Sequence, residues 1–383
     1  MVEPPLPFGN AAARWYYVLL RGLVERGHRV TAFATCSNPE EIEQAPALFP
    51  APAYDLRCYT HPARSGWKAK WETWRRPYSY MFSPQLRRDL EAELAKGFDV
   101  LHLEQLWSGW VGMAHAQRAV VNVLNLLSMD LLGSRAPWLW PSRQLALRGE
   151  KALLRSFPRI CTLTPGLSDY ARKVNPRASV HTIPLGMDLA LYEFKAPTPA
   201  QGPPTVSLIG SFGWMPTSSA AMRILTRLWP AIQRGCPEAR LQFVGRNARS
   251  VLRHCGGKEL PGVSIRENVP DILPYFRATD VLLYPVEHGS GMKVKVMEAF
   301  ALGVSVVTTS VGVEGMPAKD GVHAGITEED QGLIERTVHL LRNSGARAKQ
   351  CIAARELVER HCSPGRTLDL LEAVYSQMMA ETL

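Results

Sequence analysis

Short apolar segments alternate with amphipathic ones in two successive runs along this chain, and that alternation constrains the fold more than any other feature. A strand that is apolar on both sides must be covered on both faces, and helices between parallel strands supply the cover. In the first run AAARWYYVLLRGLVERG (11–27) has helical spacing with Gly27 at a C-cap position, and HRVTAFAT follows as a strand. FDVLHLEQ (98–105), AVVNVLNLLS (119–128), RICTLTP (159–165) and SVHTIPLG (179–186) read as further strands, with helices over 84–96 and 142–156. APTPAQGPPT (196–205) is rich in Pro, Ala and Gly and reads as a linker. The alternation then restarts: TVSLIGS, a helix over 216–233, ARLQFVG, SIRENV, a short helix over 271–278, DVLLYPV, a helix over 292–303 and SVVTTS, with helices over 329–342, 344–361 and 365–380.

The expected architecture is α/β, two Rossmann-like domains facing each other across a cleft. Their boundaries are 1–195, a linker at 196–205, and 206–365; a C-terminal helix covers 366–383, and its crossing back to the first domain is left open. A chain of 383 residues agrees, because single cores stop growing beyond about 250–300 residues. Ligands of such sheets bind beyond the carboxyl ends of the strands, and closure about 196–205 is the expected gating step. One detail departs from the pattern. A Rossmann-like domain opens with a strand, yet only MVEPP precedes the turn LPFGN, so the first strand is very short or the chain begins inside one.

Composition excludes several classes. With 46% hydrophobic and 21% charged residues the chain is not disordered. Residues 1–190 carry 23 Lys+Arg against 16 Asp+Glu, whereas 191–383 carry 21 against 19, so the first half favours an anionic partner. The seven cysteines are scattered and form no CxxC pair, which reads as reduced, buried thiols rather than a disulfide framework or zinc site. Neither a membrane span nor a signal peptide is legible, and the reading is cytoplasmic, with a peripheral site at the inner membrane face left open. The ten histidines lack metal-ligand spacing, no DxD-like acidic motif occurs, and neither a metal nor a cofactor is expected.

Chemistry concentrates after DVLLYPV (280–286), in Glu287-His288-Gly289-Ser290-Gly291, with a helix expected from Met292. Glycines let a backbone turn sharply and bring N–H groups close to a ligand, and a helix start offers free N–H groups to an anion. Lys293 and Lys295 add mobile positive charge at an end where lysine is otherwise unfavourable, a cost that a phosphate offsets. Glu298 shares a face with Lys295 one turn in, where a carboxylate suits the paired hydroxyls of a ribose. Val294, Met297 and Ala301 form the stripe expected to pack inward. The bland alternative is a surface Lys295–Glu298 ion pair beside an ordinary turn. His102 and Glu104 alternate on a strand end expected to face the cleft, though such residues are more often satisfied core groups.

The run GSGMKVKVMEAFALGVSVVTTSVGVEGM (289–316) resembles the donor-binding signature of GT-B glycosyltransferases, in particular retaining family 4. LIGSFGWMPTSSAAMRILTRLWPAI, LQFVGRN and ENVPDILPYFRATDVLLYPV are similar to that family's C-terminal domain in order and spacing. EPPLPFGNAAARWYYVLLRGLVERGHRVTAF, FDVLHLEQ, TPGLSDYARK and IPLGMD are similar to its N-terminal domain. The resemblance implies transfer of a sugar from a nucleoside diphosphate to a glycan, lipid-linked or small-molecule acceptor, with retention and without a metal. By the same resemblance Glu298 would bind the ribose, and the backbone of Ser290, Gly291 and Met292 would meet the diphosphate, with Lys293 or Lys295 neutralising it; His288 and Gly289 are further donor-binding candidates. Gly213 would approach the phosphates, Arg246, Asn268 and Val269 would border the base, and Gly9, Asn10 and Asn125 would form the opposite wall. Serine stands at 290 where many members carry a first glutamate, the Arg/Lys pair of the first C-domain helix is not evident, and Leu124 replaces a histidine. A non-catalytic partner subunit and a nucleotide-sugar epimerase are the alternative readings.

GWKAKWETWRRPYSYMF (66–82) interleaves Trp67, Trp71, Trp74, Tyr78, Tyr80 and Phe82 with Lys68, Lys70, Arg75 and Arg76. Three readings stay open: ordinary packing with a solvated basic back, peripheral contact with anionic membrane, and an acceptor-binding wall. Nucleic acid is not an expected partner, because no reader motif accompanies the basic residues.

Overall fold

The computed structural model describes residues 1–7, 10–132, 137–197, 202–253 and 261–381. It divides into two compact units, Met1–Ser128 with Pro137–Asp188 and Cys362–Leu383, and Met129–Ala136 with Leu189–His361. The second unit therefore starts before the expected linker, and of 196–205 residues 198–201 lie outside the described residues.

The first unit contains β1 (Thr31–Cys36), β2 (Asp55–Thr60), β3 (Leu101–Glu104), β4 (Ala119–Val123), β5 (Arg159–Thr162) and β6 (Ser179–Thr182). β1 and β2 pair in parallel, and β3, β4, β5 and β6 form a parallel sheet in that order. β4, apolar apart from Asn122, is buried along its whole length. It stops at Val123, and Leu127–Asp130 is helical, so the strand expected to continue to 128 is shorter. Among the described residues no strand precedes β1, but Met1 and Val2 lie along it. The Met1 ammonium donates to Phe33 O at 2.8 Å, and Thr35 Oγ1 donates to Val2 O at 2.7 Å. A cavity lined by Met1, Leu20, Ala32, Leu101, Leu103 and Glu104 lies between β1 and β3.

The C-terminal helix Pro364–Ala380 packs on the helix Ala11–Glu25 within this unit. Gly22 permits the approach: a Cβ there would lie 2.3 Å from Leu368 Cδ1. Arg26 Nη1 pairs with Asp369 at 2.7 Å and Glu372 at 2.6 Å, and His28 Nε2 meets Glu372 at 2.7 Å. Strand β3 carries an inward-facing carboxylate. Glu104 is buried, accepting from Trp15 Nε1 at 3.0 Å and from Asn122 Nδ2 at 3.1 Å, so it belongs to the core of this unit rather than to an open face.

In the second unit β7 (Thr205–Ile209), β8 (Arg240–Gly245), β9 (Val263–Glu267), β10 (Val281–Tyr284), β11 (Ser305–Thr308) and β12 (Gly325–Ile326) form one parallel sheet. Its order, β12-β11-β10-β7-β8-β9, is the doubly wound one, and strand order reverses between β7 and β10. β10 and β11 are buried throughout. The helix expected over 216–233 is three pieces, Met215–Arg223, a π-turn over Ile224–Leu228, and Trp229–Gly235, with Pro230 inside the third. A π-turn shifts the register where the regular ladder is interrupted.

Candidate functional site

At the crevice between β7 and β10 two glycine turns leave the carboxyl ends of neighbouring strands. After β7, Gly210 N donates to Val244 O and Phe212 N to Arg246 O, both at 2.9 Å, so this turn is laced to the end of β8. Gly245 has φ +138°, and a Cβ on it would lie 1.8 Å from Gly210 O. No side chain fits there. Gly213 packs less tightly, its hypothetical Cβ 2.9 Å from the side-chain Nδ2 of Asn247. Arg246 and Asn268 are exposed and Val269 is half-buried; Asn268 adopts φ +53° with its N–H donating to Gly245 O at 3.3 Å. These residues do gather at one end of the sheet.

The second turn follows β10. Gly289 (φ +141°) and Gly291 (φ +72°) use backbone conformations open to glycine, and Pro216 lies against Gly289. His288 is exposed, whereas Ser290, Gly291 and Met292 are buried. The helix spans Val294–Leu302 and starts two residues later than expected, with Lys293 at the N-cap and no side-chain cap. Residues Val296 to Leu302 are all buried while Val294 is only half-buried, so the expected one-sided stripe is replaced by burial all round.

Lys293 is not mobile. Its side chain is fully buried, and Nζ donates to Ser290 O at 3.2 Å and Gly291 O at 2.5 Å, tying the turn from within. Burial pushes its ammonium below the usual lysine range, while Glu314 and Asp130 act in the opposite direction. Lys295 pairs with Glu298 Oε2 at 2.7 Å, and Tyr192 Oη donates to Glu298 Oε1 at 3.1 Å. Glu298 is fully buried, so this pair differs from a solvated surface bridge. Its desolvation raises the stakes of each partner.

Several residues that local sequence patterns do not announce complete the arrangement. Asp130, 1% exposed, belongs to the second unit through the segment Met129–Ala136. Its Oδ1 accepts from both Ser290 N and Ser290 Oγ at 2.8 Å, and its Oδ2 accepts from Trp214 Nε1 at 3.1 Å. A backbone N–H of a glycine turn thus already holds an anionic oxygen. Arg223, also buried, donates to Pro285 O at 3.2 Å and pairs with Asp330 at 2.9 Å, bracing β10 where it enters the turn. Asp130 stands 160 positions from Ser290 with no spacing signal. Trp214 and Arg223 lie within the segment compared with the family, but nothing in their pattern marks these contacts.

Of the three residues expected on an opposite wall, Asn10 and Asn125 fall in the first unit. Asn10 caps the helix Ala11–Glu25, accepting from Ala13 N at 3.0 Å, and its amide also pairs with Glu3. Asn125 accepts from Gln105 Nε2 at 2.7 Å. Gly9 lies outside the described residues. Among the described residues no cluster of three or more metal-ligating side chains occurs.

Comparison with known proteins gives the family and the fold. Residues 203–343 match the family of glycosyl transferases group 1, and residues 12–191 match Glycosyltransferase Family 4. The chain is similar to sucrose-phosphate synthase from Thermosynechococcus elongatus at 18% identity and a TM-score of 0.74, over 97% of this chain and 94% of that one. It is similar to Anabaena HepE in complex with UDP and glucose at 12% identity and a TM-score of 0.69, over 98% of both chains. WaaG, a glycosyltransferase involved in lipopolysaccharide biosynthesis, aligns at 15% identity and a TM-score of 0.64 over 96% and 97%. No curated protein sequence matches the chain. An α/β chain of two parallel-sheet domains like this is the GT-B fold. The chain belongs to the family 4, group 1 glycosyltransferases.

Proposed function

We propose that the chain transfers a sugar from a nucleoside diphosphate to an acceptor hydroxyl, with retention and without a metal, and that the turn Gly289–Met292 seats the diphosphate. The observation that carries this reading is the Asp130 carboxylate on the N–H and hydroxyl of Ser290, which marks the turn as an anion seat at the switch point of the sheet. A diphosphate bound there takes the place of that carboxylate. Lys295 is the catalytic cation: one side of its ammonium is held by Glu298, and the side chain keeps 23% of its exposure. Lys293 fixes the turn so that its N–H groups are aimed before the substrate arrives.

Glu298 holds the pentose in this proposal, its diol replacing the hydroxyl of Tyr192 on Oε1. Gly213 keeps the neighbouring turn close to the phosphates, and Arg246, Asn268 and Val269 border the base. Breaking the sugar–phosphate bond builds negative charge on the leaving oxygens, and preorganised donors stabilise that charge most because they need not reorganise. The acceptor is a glycan, a lipid-linked sugar or a small molecule, and residues 66–82 bring the chain into peripheral contact with an anionic membrane. Isothermal titration of nucleoside diphosphates into the wild type and Glu298→Gln tests the donor reading: micromolar binding lost in the variant supports it, and equal binding by both contradicts it.

A further inference from the structure

We infer that the first unit carries a bilayer-docking face, built from the helix Gly66–Arg75 and the start of the helix Trp140–Ser156, that takes anionic lipid. The inference deepens the membrane part of the proposed function and stands apart from the donor chemistry. It begins with a failure of ordinary packing. No residue of Gly66–Arg75 is buried, and Trp67, Trp71 and Trp74 are 73%, 52% and 60% exposed. On a helix turning 100° per residue these three fall within about 60° of arc. Trp138 and Trp140 are 76% and 62% exposed at the start of the second helix. Arg148, two turns further along it, lies over the ring of Trp74 at 4.5 Å, so the two helices adjoin at this point.

The chemistry of this face selects its occupant. A sugar-binding wall offers free aromatic faces in a concavity, with hydrogen-bonding side chains at the rim. Here the rings project outward, and cations cover their faces: Arg75 lies over Trp71 at 5.5 Å and Lys68 is 6.0 Å from the Trp67 ring centre. A second copy of the chain would bring Lys68, Lys70, Arg75, Arg76 and Arg148 against the same basic residues. A bilayer fits both features. Indole rings sit at the headgroup level with their amphipathic edges, and the flanking lysines and arginines reach lipid phosphates. Glu72, the one acid of this helix, is neutralised by Arg64 at 3.6 Å.

Flotation of the full chain with phosphatidylcholine vesicles, with and without phosphatidylglycerol, tests this. Binding is expected only with phosphatidylglycerol, and it should fall with added salt. Near an anionic surface each basic residue is worth about a fivefold change in affinity, so Lys68→Ala with Lys70→Ala should weaken vesicle binding about 25-fold. Trp67→Ser, Trp71→Ser and Trp74→Ser together should abolish flotation, and Trp138→Ser with Trp140→Ser should weaken it. All of these side chains are exposed, so melting temperature and nucleoside diphosphate affinity stay at wild-type values. A chain that ignores phosphatidylglycerol vesicles, or a triple tryptophan variant that floats like the wild type, overturns the inference. Dimerisation through these tryptophans without vesicle binding also overturns it. Loss of nucleotide binding by the wild type would instead bear on the donor reading.

Discussion

Replacing Asp130 by asparagine separates an anion seat from a structural strut. The carboxylate accepts from Ser290 N and Ser290 Oγ at 2.8 Å and from Trp214 Nε1 at 3.1 Å. An asparagine oxygen can still accept from Ser290, but its amide meets the indole N–H donor to donor. Converting two charge-assisted bonds to neutral ones costs about 1 kcal/mol each, and the lost indole bond about 1 more. The hold on Ser290 therefore weakens by about 2 kcal/mol, and the departing charge no longer repels a phosphate. If the diphosphate displaces Asp130, that 2 kcal/mol appears as about 30-fold tighter binding, at 1.4 kcal/mol per decade. Isothermal titration of uridine and guanosine diphosphate into wild type and Asp130→Asn measures it. A strut that merely shapes the turn gives the opposite sign: unchanged or weaker affinity in the variant refutes displacement.

Lys295→Ala should lower transfer by about 100- to 1000-fold, the effect of removing one preorganised donor of about 2.7–4 kcal/mol, and should also lower the melting temperature, because the buried Glu298 carboxylate loses its cation; normal turnover by the folded variant in a donor-hydrolysis assay refutes the catalytic role. Gly245→Ala should yield little soluble protein, because φ +138° and a 1.8 Å approach to Gly210 O leave no room, and a native circular dichroism melt would contradict this. The attachment of the C-terminal helix should depend on acid. His28 and then Arg26 hold the Glu372 carboxyl below its usual 4.5, so its stabilisation is complete above pH 4.5 and is lost as pH falls through the lowered value. Hydrogen exchange over Pro364–Ala380 should therefore speed up first in acid, and a uniform pH response along the chain would count against this anchor.

Much of this fold was legible because buried parallel strands have to be apolar. Val281–Tyr284 and Ser305–Thr308 are buried on every residue. β2 is not, since Asp55–Thr60 is half-exposed along most of its length and carries Asp55 and Arg57 in the strand. The glycine turn was legible from residue types, but burial was not. Lys293 reads as a solvated cation until the fold shows that its ammonium is spent on the carbonyls of Ser290 and Gly291. The basic tryptophan helix shows the converse, since periodicity gives a stripe without saying which way it faces. Asp130 could not be found from spacing at all, because its partner is brought to it only by the chain's long-range path.

A crystal structure of the chain soaked with a nucleoside diphosphate tests the central claim most directly. The account expects pyrophosphate density on the N–H groups of Ser290 to Met292, the Asp130 carboxylate displaced, and the pentose hydroxyls on Glu298. Diphosphate bound elsewhere, with Asp130 still on Ser290, would contradict it.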